Sequence, residues 1–111
     1  MTGAGKGDEG VMSVEGFTAL IYSLSIASSN PFAKNTTILY SLAKPGHVSL
    51  KIYDISGRVI KTLVHGEKSE GIYSVTWSGC ADNNQQVATG IYFISLASSN
   101  FTAVNKVILV R

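Results

Sequence analysis

Val48, Leu50 and Ile52 alternate with Ser49, Lys51 and Tyr53, and the same two-residue period returns in nearly every apolar segment of the chain. Successive side chains of an extended strand point to opposite faces, so this period marks strands with one face buried and one in water. Asp54-Ile55-Ser56-Gly57-Arg58 then carries the chemistry of a tight turn. An aspartate opens it, and a glycine free to take positive φ stands near its end. Val59 to Val64 follows as a second strand and Gly66 closes it. The unit reads as a hairpin at the centre of a small β-sandwich.

The remaining segments repeat the pattern. Thr36 to Leu42 places Ile38, Tyr40 and Leu42 on one face, and Ile72 to Trp77 places Tyr73, Val75 and Trp77 inward. Gly90 to Leu96 does the same with Tyr92, Ile94 and Leu96, and Thr102 to Val110 is the last strand. Upstream, Phe17 to Ala27 reads as one strand, with Leu20, Tyr22, Leu24 and Ile26 in register. Between these lie turn clusters at Ser28 to Phe32, Lys44 to Gly46, Glu67 to Gly71 and Ser98 to Asn100, and the longer aperiodic stretch Ser78 to Thr89. No segment has a helical period. The expected fold is all-β, a seven-stranded antiparallel β-sandwich of the Ig-like or fibronectin type III-like kind. A single cysteine excludes an internal disulfide. Residues 1–16, with five glycines and no periodicity, read as a flexible leader, linker or expression-vector remnant, and residues 17–111 as the sandwich.

At 111 residues the chain has room for one small domain. Only 14% of its residues are charged and the formal net charge is +2, with no basic cluster. Nucleic acid and anionic membrane surfaces are therefore not expected partners, and a monomer is expected. The apolar run Phe17 to Ile26 is acidic upstream (Asp8, Glu9, Glu15) and interrupted by serines. It reads as a strand rather than a signal peptide or a membrane-inserted segment.

Residues that could carry chemistry are few. Cys80 would need His47 or His65 as a base to act as a nucleophile. The two histidines stand at opposite ends of the central hairpin, so at most one of them could face Cys80. Asp82-Asn83-Asn84-Gln85-Gln86 is rich in oxygen, but one carboxylate falls short of the six to eight ligands of a calcium site. Gly3 to Gly7 lacks the spacing and the Ser or Thr of a phosphate loop. Asn35 and Asn100 open glycosylation triplets at turn–strand junctions. Tyr22, Tyr40, Tyr73, Tyr92 and Trp77 fall on the inward faces and read as core, with Tyr53 alone outward beside Lys51. No catalytic, cofactor or metal site is expected.

An ordered series of residues resembles a bacterial family of C-terminal Ig-like modules. It runs from Asn30-Pro31-Phe32 through Ile38-x-Tyr40-x-Leu42 to Ile52-Tyr53-Asp54, Gly57-Arg58 and Leu63. Gly71, Trp77, Gly79, Gly90-Ile91-Tyr92 and Lys106-Val107 continue it. The family includes the Ig-like domain of the flagellar hook-capping scaffold and the type A sorting domains of type IX secretion. Ala33-Lys34, Ser78 and Asn84 depart from its pattern, Asn84 standing where a loop glycine is usual. The resemblance implies a non-enzymatic domain of a larger secreted bacterial protein, covalently preceded by a passenger and located outside the cell or on its surface by way of the periplasm. It implies an outer-membrane sorting machinery as partner, reading the last strand, Lys106, Val107, Ile108, Leu109, Val110 and Arg111. A scaffold module of the hook-capping kind, or an accessory carbohydrate-binding or adhesion domain of a secreted hydrolase, are the alternatives.

Overall fold

The computed structural model describes residues 11–14, 17–27 and 30–111. Among the described residues nine strands follow in order: β1 (Val11–Val14), β2 (Phe17–Leu20), β3 (Ser23–Ile26), β4 (Thr36–Leu42), β5 (Gly46–Tyr53), β6 (Val59–Lys68), β7 (Gly71–Trp77), β8 (Gly90–Ser98) and β9 (Phe101–Leu109). Seven of them build two antiparallel sheets, ordered β3-β4-β7 and β6-β5-β8-β9. Three strands facing four is the expected Ig-like sandwich.

The period-two faces lie where the sequence puts them. Ile38, Tyr40 and Leu42 of one sheet meet Val48, Leu50, Ile52, Ile94 and Leu96 of the other, all essentially without solvent contact. Trp77, Tyr92 and Phe32 pack together at one end, with Trp77 5.6 Å from Phe32 and 5.4 Å from Tyr92 between ring centroids. Tyr40 stacks on Tyr73 at 5.1 Å. Burial raises the Tyr40 hydroxyl pKa, and the neighbouring Tyr73 raises it further.

Three segments differ from expectation. Phe17 to Ala27 is not one strand: β2 ends at Leu20, and β3 starts at Ser23 and pairs with β4. Between them the carbonyl of Ile21 accepts the Ser41 hydroxyl, and Tyr22 turns to stack on Phe101 at 5.1 Å. Val11–Val14, expected within a leader, pairs with β2 as a two-stranded sheet. Residues 1–10, 15 and 16 of that leader lie outside the described residues. β6 also runs past Gly66 to Lys68 and slips register against β5 twice, leaving Ile60 and Leu63 as extra residues. Each slip is a β-bulge. Together they let Ile60, Leu63 and Val64 all reach the core, which a strict alternation would forbid.

Candidate interaction surface: the capped edges of the four-stranded sheet

The outer strands of a sheet leave a row of main-chain donors and acceptors unpaired unless something covers them. On β9, one of the two outer strands, Asn30 does so with its side chain. Its Nδ2 donates to the Lys106 carbonyl at 3.2 Å, and its Oδ1 accepts the Ile108 N–H at 2.9 Å. After the cis Asn30–Pro31 bond, Phe32 continues as a one-residue parallel bridge. It donates to Ile108 O at 2.9 Å and accepts from Val110 N at 2.8 Å. Farther back along β9, the Asn105 carboxamide donates to Leu24 O of β3 at 2.8 Å, tying the two sheets together.

β6, the opposite outer strand, is covered the same way by a residue of the 78–89 loop. Asp82 donates its N–H to Ile60 O at 3.0 Å, and its Oδ1 accepts the Thr62 N–H at 3.1 Å. Asp82 therefore spends a carboxylate oxygen on β6, and Asn83 Oδ1 accepts Gln85 N–H within the loop. Among the described residues no group of three His, Cys, Asp or Glu is placed to hold a metal ion. Asn84 takes positive φ, 68°, as a stand-in for glycine should.

Arg111 is built into the structure. Its Nη2 donates to Gly79 O at 2.7 Å, its Nε to Val87 O at 2.9 Å, and its N–H to Thr89 Oγ1 at 3.0 Å. Gly79 has φ of 78°, and a Cβ there would stand 2.7 Å from the guanidinium. Of the residues assigned to recognition by the resemblance, Val107 and Leu109 are fully buried and Arg111 is engaged with the loop. Lys106 and Val110 are exposed and Ile108 half-buried. Within that set, the side chains that face outward along the edge strand and its continuation are Lys106, Ile108 and Val110.

The other motif residues have structural work. Asp54 Oδ1 accepts from Ser56 N (2.9 Å), Ser56 Oγ (2.6 Å) and Arg58 N (3.0 Å), while Oδ2 stands 3.3 Å from Arg58 Nη2. The Ser56 hydroxyl and then the Arg58 N–H hold its pKa down to about 2. Gly57, with φ of 89°, closes the turn. Tyr92, at the start of β8, donates its hydroxyl to Ala88 O at 2.7 Å, the corner seen where such a strand enters an Ig-like sandwich. Gly90 lacks a positive φ and a Cβ there would touch nothing within 4 Å, so the corner is held by the Tyr92 hydroxyl and not by the glycine.

The remaining candidates for chemistry are also placed. His47 and His65 are not apart: their rings lie 4.7 Å from each other. Antiparallel pairing brings the first residues of β5 beside the last of β6, which distance along the sequence obscures. Cys80 lies in the loop, bridged to Gln86, with its carbonyl accepting the Trp77 indole N–H at 2.9 Å.

A model of the FlgD Ig-like domain family matches residues 22–101. The chain belongs to that family. As an FlgD Ig-like domain it is 32% identical over 77 residues to the basal-body rod modification protein FlgD of Salmonella typhimurium, across 68% of this chain and 31% of that protein. It thus spans about a third of the length of the curated relatives it matches. The FlgD of Xanthomonas campestris, whose crystal structure bears on hook capping in flagellar assembly, superposes with a TM-score of 0.54 at 21% identity, over 78% of this chain and 65% of that one. PorZ, a surface component of the type IX secretion system of Porphyromonas gingivalis, has a TM-score of 0.52 at 17% identity, over 81% of this chain and 11% of its own. Both share the fold. The family match ends at Phe101, so Lys106 to Arg111 lie beyond it.

Proposed function

We propose that this chain is a non-catalytic structural module of a larger bacterial protein, acting as a scaffold through contacts with other proteins in an assembly outside the cytoplasm. Membership of the FlgD Ig-like family over residues 22–101 carries this reading. The polar residues that stand out in the sequence support it: Asn30, Asp54, Asp82 and Arg111 are all occupied in holding main chain.

A second reading, a sorting domain recognised by the type IX machinery, is favoured by the fold shared with PorZ. An export assay separates the two. The chain is fused behind a signal peptide and a reporter, in a host with type IX secretion and in a strain lacking its translocon. The scaffold reading expects the reporter in the periplasm of both strains. Reporter at the surface or in the medium of the competent strain alone overturns it in favour of sorting.

A further inference from the structure

The outer faces of the two sheets differ in chemistry. On β3-β4-β7 the outward positions are mostly Ser and Thr, with Leu39 flanked by Ser25 and Ser74. On β6-β5-β8-β9 one half of the outer face is aromatic and aliphatic. The cross-strand register puts Val59, Tyr53, Phe93 and Lys106 in one row, and Ile91 beside Ile108 in the next. On the other side lies the row Thr62, Lys51, Ser95 and Val104. Val104 is 59% exposed, Val59 42% and Ile91 38%. Tyr53, Phe93 and Ile108 are half-buried and take no part in the core. A contiguous apolar area with central aromatics and a charged rim is the composition of a protein-binding surface, not of a solvated face.

From this we infer that the outer face around Tyr53 and Phe93 docks an acidic, apolar segment of a partner protein. Charge selects the occupant. Lys51 and Lys106 flank the aromatics, and the carboxylate in this outward register, Glu67, stands opposite His47 at the far end of β5. The Asp54 carboxylate is taken up by Ser56 and Arg58 in its own turn. A second copy of the chain, meeting this face about a two-fold axis, would set lysines against lysines. Geometry selects the mode. At this end of the sheet both edges are covered, β6 by Asp82 and β9 by Asn30 and Phe32, so a partner strand cannot add there. The face is open where the edges are closed.

This surface goes beyond the choice between scaffold and sorting, and it is tested on the isolated chain without either machinery. The ¹⁵N-labelled protein is titrated with a short capped peptide alternating glutamate and leucine, and with its twin carrying lysine for glutamate. The glutamate peptide should shift amides of Tyr53, Phe93, Lys106 and their cross-strand neighbours, and the lysine twin should not. Phe93→Ser should weaken binding about tenfold or more, as expected of a central aromatic anchor. Lys106→Glu, an exposed change that spares the core, should shift preference towards the lysine twin. Shifts that map elsewhere, equal binding of both peptides, indifference to both substitutions, or self-association through this face with no peptide binding would each overturn the inference.

Discussion

Asp54 holds the β5–β6 turn with one carboxylate, which accepts from Ser56 twice and from the Arg58 N–H. Its pKa lies near 2 in the folded chain, against about 4 for an unfolded aspartate. The unfolded state therefore binds the proton more readily, and the stabilisation from Asp54 is complete above about pH 4 and lost as pH falls towards 2. Melting curves of the parent and Asp54→Asn should differ most above pH 5 and converge near pH 2; a constant gap would show that ionisation of Asp54 is not what holds the turn. Two glycines give a second contrast. Gly79→Ala forces a positive φ on a side chain and pushes Arg111 away, costing roughly 1–2 kcal/mol from the backbone alone. Gly90→Ala meets open space and should leave the melting temperature unchanged or slightly raised. Equal losses at the two positions would contradict this account of both.

At the scale of elements, each outer strand of the larger sheet meets a polar residue that presents one donor and one acceptor, as a neighbouring strand would. Asn30 does this through its carboxamide; Asp82 uses its own N–H and a carboxylate oxygen. Two hydrogen bonds of ordinary net value amount to about 1–3 kcal/mol, so Asn30→Ala should lower stability by that much in urea titration. Asn30→Asp should also destabilise, because a carboxylate cannot donate to the Lys106 carbonyl. If Asn30→Asp were as stable as the parent, that donor would contribute nothing.

The strands themselves were legible in the sequence because burial of one face imposes a period of two: Ile38, Tyr40 and Leu42, or Val48, Leu50 and Ile52, could be read at once. The Gly57 turn was legible for a similarly local reason, since its chemistry lies within five residues. What joins distant parts was not. Asn30 bonds to Ile108 across 78 positions and Arg111 to Gly79 across 32, and no local pattern marks either. The break between β2 and β3 was hidden because alternation continues unchanged through Ile21 and Tyr22. The bulges of β6 blurred a period that the fold restores in three dimensions.

For the whole molecule, Trp77 joins the loop, β8 and the Asn30 segment through Cys80 O, Tyr92 and Phe32. Trp77→Ala should cost about 3–5 kcal/mol, a large share of what so small a domain has. A variant melting within a few degrees of the parent would place Trp77 outside the core. At the end of the larger sheet that carries Tyr53 and Phe93, both edges are capped, β9 by Asn30 and Phe32 and β6 by Asp82, and the outer face is left open. Amide hydrogen exchange by NMR tests this most directly. The N–H groups of Thr62, Ile108 and Val110, which point away from their own sheet, should be protected by these caps. Those of Thr102 and Val104, on the same side of β9 but beyond the cap, should exchange quickly. If Thr62, Ile108 and Val110 exchanged as fast as Thr102 and Val104, the edges would be open and the account would be wrong.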